Sequence, residues 1–346
     1  MKILHISNFV QKHNGRLFWN SAFKLSNGFT RLGHNVLNFS ERDIARDNFL
    51  RSSIYGKKLL NERIIQVLKN YNPDLVVIGH ADLVFNETLK KIKSHNSKIK
   101  IIQWNVDHPL MNNTIGKIID KSEYISETFI TNGDPTIKKA AINNMRISFI
   151  PNLFDQSIDN LEIYKNNNFE YDIFFAMSHG VGSGKLKKNK KDGREETLNK
   201  INLDHEINDN FFGINGREPI WGQYFLDEMQ KSPMGINLNQ GEPMYLYSSD
   251  RIASYIGNGL CTFLQSNRGL EELYNDTEAV YFQNDEELID KIKFFKKNIE
   301  KSKKISMNGW RKSHECFNEK VICNYIISKT LNLKISNQSW PEISYV

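Results

Sequence analysis

The chain has 346 residues, of which 39% are hydrophobic and 25% charged, and its formal net charge is +6. This composition excludes a disordered or fibrous protein, and a chain of this length is expected to form two α/β domains rather than one core. No apolar run approaches the ~20 residues needed to span a bilayer, so we expect no transmembrane helix.

The amino terminus and the cysteines predict a cytoplasmic protein. Met1–Val10 has a single lysine and no small-residue cleavage site, unlike a secretory signal. Cys261, Cys316 and Cys323 lack the spacing of a metal or CxxC motif, so we expect reduced thiols. The mild basic excess suits nucleoside diphosphates or peripheral contact with an anionic membrane. No basic run carries the aromatic residues typical of nucleic-acid binding, so no nucleic-acid partner is expected.

Strands and helices alternate through the first half of the chain. Apolar residues at helical spacing predict a helix over Phe18–Leu32, and Gly33 ends it in the position that glycine prefers. Continuous apolar strands between amphipathic helices indicate a parallel sheet covered on both faces. The predicted strands of this unit are Lys2–Ile6, Val36–Phe39, Leu75–Ile78, Ile99–Trp104, Phe129–Ile130 and Ile147–Ile150.

A second alternating unit is predicted over residues 171–318, after a first domain over residues 1–155. Residues 156–170, rich in Asn, are interpreted as a linker, and a helix within 319–346 as a tail that packs back on the first domain. The predicted architecture is therefore α/β, with two doubly wound, Rossmann-like domains facing each other across a cleft and a carboxyl-terminal helix. The predicted strands of the second unit are Tyr171–Met177, Phe211–Phe212, Gly235–Leu238 and Leu260–Gln265.

Residues 248–274 carry the most specific pattern in the chain. A helix from Asp250 is predicted to end at Gly257 or Gly259. After a strand, a turn at Gly269 leads into a helix that begins with acidic residues, which the helix dipole favours. Backbone N–H groups at such a turn bind phosphate, and a carboxylate just inside it accepts both hydroxyls of a ribose. The residues predicted to bind a nucleotide here are Gly269, Leu270, Glu271 and Glu272.

This segment resembles the carboxyl-terminal domain of GT-B glycosyltransferases, particularly the group related to the CgeB spore-maturation proteins. In that group an arginine precedes a glutamate by three residues, and a second glutamate, thirteen residues after a helix-ending glycine, holds the donor ribose. Arg251, Gly259 and Glu272 match these positions. Glu278–Ile289 is similar to the family's strand and following "DPEEL" helix start. Ser254 stands where the first glutamate is expected, so the paired-glutamate signature of related retaining enzymes is incomplete.

Shorter stretches of the first domain carry the same resemblance. Ile150–Asp155 is similar to the "PN-x-x-D" segment at which GT-B chains leave their first domain, and Trp104–Pro109 is similar to the "W-x-x-D-x-P" of CgeB-like proteins. The first loop of the family has a double glycine, and this chain has Gly15 alone as the matching candidate contact. The resemblance implies a GT-B fold in which residues 1–155 bind the acceptor and residues 171–318 bind a nucleotide sugar.

Sugar transfer on an inverting route needs a base at the acceptor hydroxyl. In open α/β sheets ligands bind beyond the carboxyl ends of the strands, and polar clusters follow three of the predicted strands there, the first of them Gln11–Arg16. Asp107 with His108, or His80 with Asp82, supplies an acid/base pair. The similarity of Trp104–Pro109 to the family favours Asp107 and His108 as the catalytic residues. Each of these side chains could instead be an ordinary polar residue with internal hydrogen bonds.

Arginines suit the departing diphosphate because a guanidinium donates two hydrogen bonds to a phosphate. Arg194 opens the first predicted helix of the second domain and Arg251 lies on the motif helix, with a surface ion pair as the alternative for either. Asn215 follows the Phe211–Phe212 strand and is predicted to contact the base. No Asp-x-Asp metal motif is present, so we predict a metal-independent reaction without a cofactor, in which the nucleotide sugar is a substrate.

Two basic segments admit more than one interpretation. His179–Leu186 follows a strand and approaches a P-loop, but it lacks the first glycine and the Ser/Thr of Walker A. We interpret it as a loop that closes over the donor phosphates, with an NTPase site as the alternative. The helix predicted over Glu286–Ile299 and its lysine-rich continuation have an apolar side, so we expect a core-facing helix with a solvated face, or alternatively contact with anionic lipid.

The sequence therefore predicts a glycosyltransferase that moves a sugar from a nucleotide-diphosphate sugar to a glycan, lipid-linked or other glycoconjugate acceptor, as in polysaccharide biosynthesis. A cytoplasmic location is expected, peripheral at the inner face of the membrane if the acceptor is lipid-linked. The alternative in the same fold is a nucleotide-sugar epimerase or a non-catalytic nucleotide-sugar-binding protein, which Ser254 supports.

Overall fold

A computed structural model describes residues 1–47, 53–80, 82–178, 193–239, 241–247, 249–335 and 338–346. The chain divides into two compact units, one formed by Met1–Leu153 with Asn318–Val346 and the other by Phe154–Phe317. Each unit contains its own mainly parallel sheet, which confirms the predicted α/β class with two Rossmann-like units. The loop His179–Leu186, predicted to close over donor phosphates, lies outside the described residues.

The first unit forms around strands whose Val, Ile and Leu side chains are buried between helices. The side chain of Asn20 starts the first helix because it accepts hydrogen bonds from the backbone N–H groups of Ala22 and Phe23 at 3.0 and 3.3 Å. Gly33, at φ +83°, follows its last turn as predicted. The strands are β1 (Lys2–Ser7), β2 (Asn35–Ser40), β3 (Leu75–Gly79), β4 (Lys100–Asn105), β5 (Glu127–Ile130) and β6 (Arg146–Phe149). The helices are α1 (Ser21–Arg31), α2 (Glu41–Arg46), α3 (Ser53–Tyr71), α4 (Asn86–His95) and α5 (Thr114–Lys121).

The second unit repeats the alternation with shorter strands. Its strands are β7 (Ile173–Ala176), β8 (Asp209–Phe212), β9 (Met234–Ile236), β10 (Cys261–Gln265) and β11 (Val280–Phe282). Its helices are α6 (Gly193–Asn202), α7 (Gly222–Met229), α8 (Arg251–Gly257), α9 (Asp285–Lys297) and α10 (Ile299–Cys316). Phenylalanines on three of its strands, Phe175, Phe211 and Phe263, pack in its core.

The carboxyl-terminal segment returns to the first unit as α11 (Glu319–Leu331) and β12 (Ser344–Tyr345), which pairs antiparallel with β6. Helix α11 packs on α1, and Gly28 permits the close approach, since a Cβ there would lie 2.4 Å from the carbonyl oxygen of Glu319. Arg31 donates a 2.7 Å hydrogen bond to the carboxylate of the same glutamate, which is itself buried. These contacts attach the tail to the first unit.

Strand order locates a switch point in each sheet. The first sheet has the order β12-β6-β5-β4-β3-β1-β2 and the second β11-β10-β9-β7-β8. In each sheet, the strand that comes first along the chain, β1 or β7, lies between the second and the third. The second strand is therefore added on one side of the first strand, and the third strand on the other side. Ligands of open α/β sheets bind at the carboxyl ends of the strands where the order reverses. The expected sites are therefore the ends of β1 and β3 in the first unit and of β7 and β9 in the second.

Three parts of the second unit differ from the sequence-based expectation. Residues 156–170 are not a free linker, because Ile163 is buried and its backbone N–H bonds the carbonyl oxygen of Asn258 at 2.9 Å. The acidic turn after Gly269 is a single 3-10 turn over Leu270–Glu272 rather than the start of a helix. The basic helix predicted over Glu286–Lys304 is interrupted, because α9 ends at Lys297 and α10 begins at Ile299. Among the described residues, no helix combines the length and apolar character that crossing a bilayer requires.

Candidate functional site

Arg251 lies at the switch point of the second sheet. Its Nε donates a hydrogen bond to the carbonyl oxygen of Ala176 at 3.3 Å, and its Nη1 donates to that of Leu238 at 2.8 Å. These carbonyls belong to the carboxyl end of β7 and to the residues just after β9. The guanidinium also lies 4.6 Å above the centre of the Phe175 ring. A fixed positive charge is thus placed where a bound phosphate is expected.

The turn at Gly269 presents Glu272 at the end of the neighbouring strand β10. Gly269 has φ +76°, and a Cβ on it would lie 2.3 Å from the ring of Tyr245, so glycine is required. The hydroxyl of Tyr245 donates a hydrogen bond to the carboxylate of Glu272, which remains exposed. The carboxylate of Glu271 instead accepts from the backbone N–H of Asn267 at 2.6 Å, and Leu270 is buried. Glu271 therefore stabilises the backbone of the turn, whereas the exposed carboxylate of Glu272 is held through Tyr245.

A small cleft lies at the carboxyl ends of β9 and β10. Its shape depends on the loop after β9, where Asn239 accepts a hydrogen bond from the backbone N–H of Ser249 at 3.1 Å and donates one to the carbonyl oxygen of Tyr247 at 3.0 Å. The Nε atom of Arg268 is buried and has no hydrogen-bond partner among the described residues. The residues lining the cleft include Asn237, Asn239, Tyr247, Gln265, Arg268 and Leu270. Sequence reasoning missed Arg268 and Tyr245, although both adjoin the predicted motif.

The remaining predicted contacts of the second unit are distributed around the same sheet. Arg194 is buried near the start of α6. Asn215 is exposed at φ +53° in the turn after β8, which the hydrogen bond from the backbone N–H of Gly213 to the carbonyl oxygen of Arg217 closes at 3.1 Å. Ser254, at the position of the family's first glutamate, is buried in α8.

In the first unit, the structure pairs His80 with Asp107. His80 directly follows β3 at φ +59°, a left-handed conformation that is uncommon for a residue other than glycine. Its Nδ1 lies 3.2 Å from Oδ2 of Asp107, which follows the adjacent strand β4. Burial alone would lower the pKa of His80, but the hydrogen bond and charge of Asp107, with Asp82 and Glu41, raise it above its usual value. Burial would raise the pKa of Asp107, whereas His80, with smaller effects of nearby cations, lowers it.

Asp82 belongs to the same cluster but binds cations rather than His80. Its Oδ2 accepts a 2.8 Å hydrogen bond from Nη2 of Arg42 and lies 3.4 Å from Nζ of Lys117. Glu41, the first residue of α2, is fully buried beside them, with Oε1 3.8 Å from Nε of Arg42. The predicted alternative pair, His80 with Asp82, is thus replaced by two linked pairs, His80 with Asp107 and Arg42 with Asp82.

His108 and Gly15 have surroundings different from those expected. His108 is buried, and its Nδ1 accepts a hydrogen bond from the backbone N–H of Leu110 at 3.2 Å, which ties the ring to its own turn. The structure does not join Asp107 to His108 as an acid/base pair, because the carboxylate of Asp107 lies against His80 instead. Gly15 is exposed at φ +76° in the loop after β1, and the carboxylate of Asp43 holds this loop through the backbone N–H of Gln11 at 2.8 Å.

Glu41 has the most perturbed carboxylate of the cluster. Neither carboxylate oxygen has a hydrogen bond of ordinary geometry within the described part of the chain. Burial raises its pKa from 4.5 to about 7, and Asp82 adds to the effect, while Arg42, His80 and the backbone N–H of Leu83 oppose it. Sequence reasoning missed this residue, since an acid at the start of a helix is ordinarily solvated.

The raised pKa of Glu41 predicts a pH-dependent effect of Glu41→Gln on stability. Below pH 4.5 the carboxyl is protonated in both the folded and the unfolded chain, so the free energy of unfolding changes little. From there to about pH 7 the unfolded chain loses this proton first, which destabilises the fold by up to about 3 kcal/mol. Glu41→Gln should remove that penalty, so urea unfolding should show stabilisation at about pH 8 and almost none at about pH 4. An equal change at both pH values would contradict the prediction.

Comparisons with known proteins place these features in a family context. Residues 193–320, which include Arg251 and the Gly269 turn, match a family model described as "Glycosyl transferase-like". No curated protein matches the sequence.

Solved structures show the fold of the whole chain. HepE from Anabaena, in complex with UDP-glucose, aligns with a TM-score of 0.53 at 13% identity, over 96% of this chain and 99% of its own. Sucrose-phosphate synthase from Thermosynechococcus elongatus aligns with a TM-score of 0.57 at 10% identity, over 96% and 98%. The β-glucosyltransferase of T4 phage aligns with a TM-score of 0.54 at 14% identity, over 96% and 100%. The solved structures confirm the predicted GT-B fold, and the family model matched by residues 193–320 agrees with the predicted glycosyltransferase. Neither comparison confirms the CgeB-like subtype.

Proposed function

We propose that this chain, a GT-B-fold protein with a glycosyl transferase-like domain in its second unit, transfers a sugar from a nucleoside-diphosphate sugar to a hydroxyl of a glycan, lipid-linked or other glycoconjugate acceptor. The observation that carries the proposal is the shared sheet edge of Arg251 and Glu272. A fixed cation at the switch point and an exposed carboxylate on the next strand end suit a diphosphate and a ribose, respectively. Uridine diphosphate sugars are the first donors to test, because HepE is described in complex with UDP-glucose.

On the donor side, the diphosphate is the leaving group. As the bond between the anomeric carbon and the diphosphate oxygen breaks, negative charge grows on that oxygen, and Arg251 stabilises it electrostatically. Arg268, in the cleft beside it, adds a second cation. Because side chains supply this positive charge, we propose a reaction independent of metal ions, for which unchanged turnover after chelation is the test.

On the acceptor side, His80 is the proposed general base. Its Nδ1 carries the hydrogen that it shares with Asp107, so Nε2 is the basic nitrogen. The acceptor hydroxyl gives its proton to Nε2 while its oxygen attacks the anomeric carbon. Asp107 keeps the ring in this tautomer and stabilises the imidazolium that forms. This displacement inverts the anomeric configuration, which agrees with a serine rather than a glutamate at position 254.

Ion pairs within the second unit explain the lysines of α9 better than contact with a membrane does. Lys293 lies 2.7 Å from the carboxylate of Asp204, and Lys296 lies 2.7 Å from that of Asp172. Lysines paired in this way attract anionic lipid weakly. We therefore propose a cytoplasmic enzyme and regard a peripheral membrane contact as secondary.

The test of the proposed function is release of UDP from UDP-glucose, and then from other nucleotide sugars, with and without a panel of glycans and lipid-linked saccharides. Transfer predicts release that depends on the acceptor, with the sugar recovered in the opposite anomeric configuration. A nucleotide-sugar epimerase would convert the donor without an acceptor, and a binding protein would leave it unchanged. Either result across the panel would contradict the proposal.

Glu272→Ala is expected to raise the Kd of the nucleotide by about 10- to 100-fold, as loss of a charged hydrogen-bond acceptor does. The exposed acid Asp276, four residues further along, offers a control in Asp276→Ala, which should leave the Kd unchanged. Calorimetric titration with UDP and with 2′-deoxy-UDP measures the Kd of each nucleotide for the wild type and for both variants. If Glu272 binds the ribose, the wild type discriminates between the two nucleotides and Glu272→Ala does not; equal discrimination in both proteins would disprove this role.

A further inference from the structure

The charged cluster of Glu41, Arg42, His80, Asp82 and Asp107 contains one acid, Glu41, that the proposed mechanism does not use. Glu41 is fully buried, while the side chains of Asp82 and Asp107 are 23% and 50% exposed. Since neither oxygen of Glu41 has a hydrogen bond of ordinary geometry among the described residues, hydrogen bonding does not explain its burial. A core position filled only for packing would be expected to hold an apolar residue.

The position of Glu41 follows from the topology of the first sheet. Glu41 directly follows β2, His80 follows β3 and Asp107 follows β4, and β1 alone separates β2 from β3. The three residues therefore share the carboxyl edge of the sheet at its switch point. Helix α2 carries both Glu41 and Arg42. The guanidinium of Arg42 lies near the carboxylate of Glu41 and forms an ion pair with that of Asp82.

Among the described residues, the following charged groups act on this site. Glu41 interacts electrostatically with Arg42, Asp82 and His80, and the backbone of Leu83 also lowers its pKa. His80 interacts with Asp107, Asp82 and Glu41. The groups that act on Asp107 are His80, Lys117 and Arg42.

We propose that Glu41 is a positioning residue that sets the basicity of His80, so that the two side chains titrate as a coupled pair. The proposal rests on the assignment of His80 as the general base. A negative charge at Glu41 favours the imidazolium of His80, and a proton on Glu41 removes that support. Two groups that interact in this way lose their protons in two steps, and the two pKa values describe the pair rather than either residue alone. Glu41 thus strengthens the base without touching either substrate.

The experiment is a histidine NMR titration of the full chain without substrates, with the His80 signal assigned from its absence in His80→Gln. In Glu41→Gln, which keeps the size of the side chain and removes its charge, the pKa of His80 should fall by about one unit or more, the strength at which two sites titrate as a pair, and its curve should become a single step. Glu62→Gln removes the same charge from an exposed position of α3 and should leave His80 unchanged. An unshifted His80 in folded Glu41→Gln overturns the proposal.

Two further measurements keep the test decisive. If Glu41→Gln does not fold, the wild-type carboxyl signal of Glu41 is followed instead; titration near 4.5, the ordinary value, overturns the proposal. Once an active donor and acceptor are known, kcat can be measured against pH for the wild type and for Glu41→Gln. The acid limb of this pH profile should lie at lower pH in Glu41→Gln, by the same shift that NMR shows for His80. A shifted His80 in a protein that transfers no sugar would refute the proposed function and leave the coupling intact. Sugar transfer by the wild type, together with an unshifted His80 in Glu41→Gln, would refute the coupling and leave the proposed function intact.

Discussion

Replacing His80 with glutamine is expected to lower kcat for sugar transfer by about 10²- to 10⁴-fold, the range over which a positioned general base contributes. The donor Kd should stay within about twofold of the wild type, because the assigned donor contacts belong to the second unit. Asp107→Asn should also lower kcat, since an amide no longer holds the imidazole in the tautomer that leaves Nε2 basic. Steady-state kinetics combined with calorimetric titration of the donor separates the two quantities.

His108→Gln is the matched control for the His80 variant. His108 is also a histidine near the end of β4, but its Nδ1 is bonded to the backbone of its own turn. We expect this substitution to change the free energy of unfolding more than kcat. If His108→Gln removed transfer and His80→Gln did not, the base would have to be reassigned to the pair that the sequence motif favoured, Asp107 and His108.

Arg251→Leu is expected to lower kcat/KM by about 10²- to 10³-fold, as removal of one donor aimed at developing negative charge does. The variant also loses the hydrogen bonds to the carbonyl oxygens of Ala176 and Leu238. Arg251→Lys separates the two effects, because it keeps the charge and loses the planar donors. Partial recovery of kcat/KM in Arg251→Lys would assign the difference to charge. The measurement is the initial rate of UDP release over a range of donor concentrations.

Arg217→Lys provides the control in the same unit, since Arg217 is half-exposed in the turn after β8 and its Nη1 bonds the carbonyl oxygen of Phe211 at 3.3 Å. This variant should retain the kcat/KM of the wild type within about twofold. Equal losses in Arg217→Lys and Arg251→Leu would point to general disturbance of the unit rather than to stabilisation of the diphosphate.

Strand β3 of the first unit could be predicted because its side chains are apolar on both faces. β3, with the sequence Leu-Val-Val-Ile-Gly, is buried at every position, and such a run has few alternatives in an α/β chain. Helix α10 could not be predicted because its buried face consists of small polar residues and glycine, namely Ser302, Ser306, Gly309 and Ser313. This spacing is helical, but it carries no hydrophobic signal. A Cβ on Gly309 would lie 2.3 Å from the carbonyl oxygen of Glu278, so close packing selects these residues.

The candidate site also has features that the sequence predicts and features that depend on the tertiary structure. The Gly269 turn and the position of Arg251 follow from spacing within one segment of the chain, and the sequence displays that spacing directly. The pairing of His80 with Asp107 does not, because it depends on two strands being neighbours and on the left-handed backbone of His80. The sequence instead favours Asp107 with His108, because Trp104–Pro109 is similar to the "W-x-x-D-x-P" of CgeB-like proteins. Burial of Glu41 is likewise a tertiary property that an acidic residue at a helix start does not reveal.

The central claim concerns where the nucleotide binds, and a crystal structure of the protein with UDP, or with whichever nucleoside diphosphate binds more tightly, tests it most directly. We predict that the diphosphate lies within hydrogen-bond distance of Arg251 at the carboxyl ends of β7 and β9, with a ribose hydroxyl on the carboxylate of Glu272. A nucleotide bound on the first unit, or on the second unit with neither side chain in contact, would contradict the account.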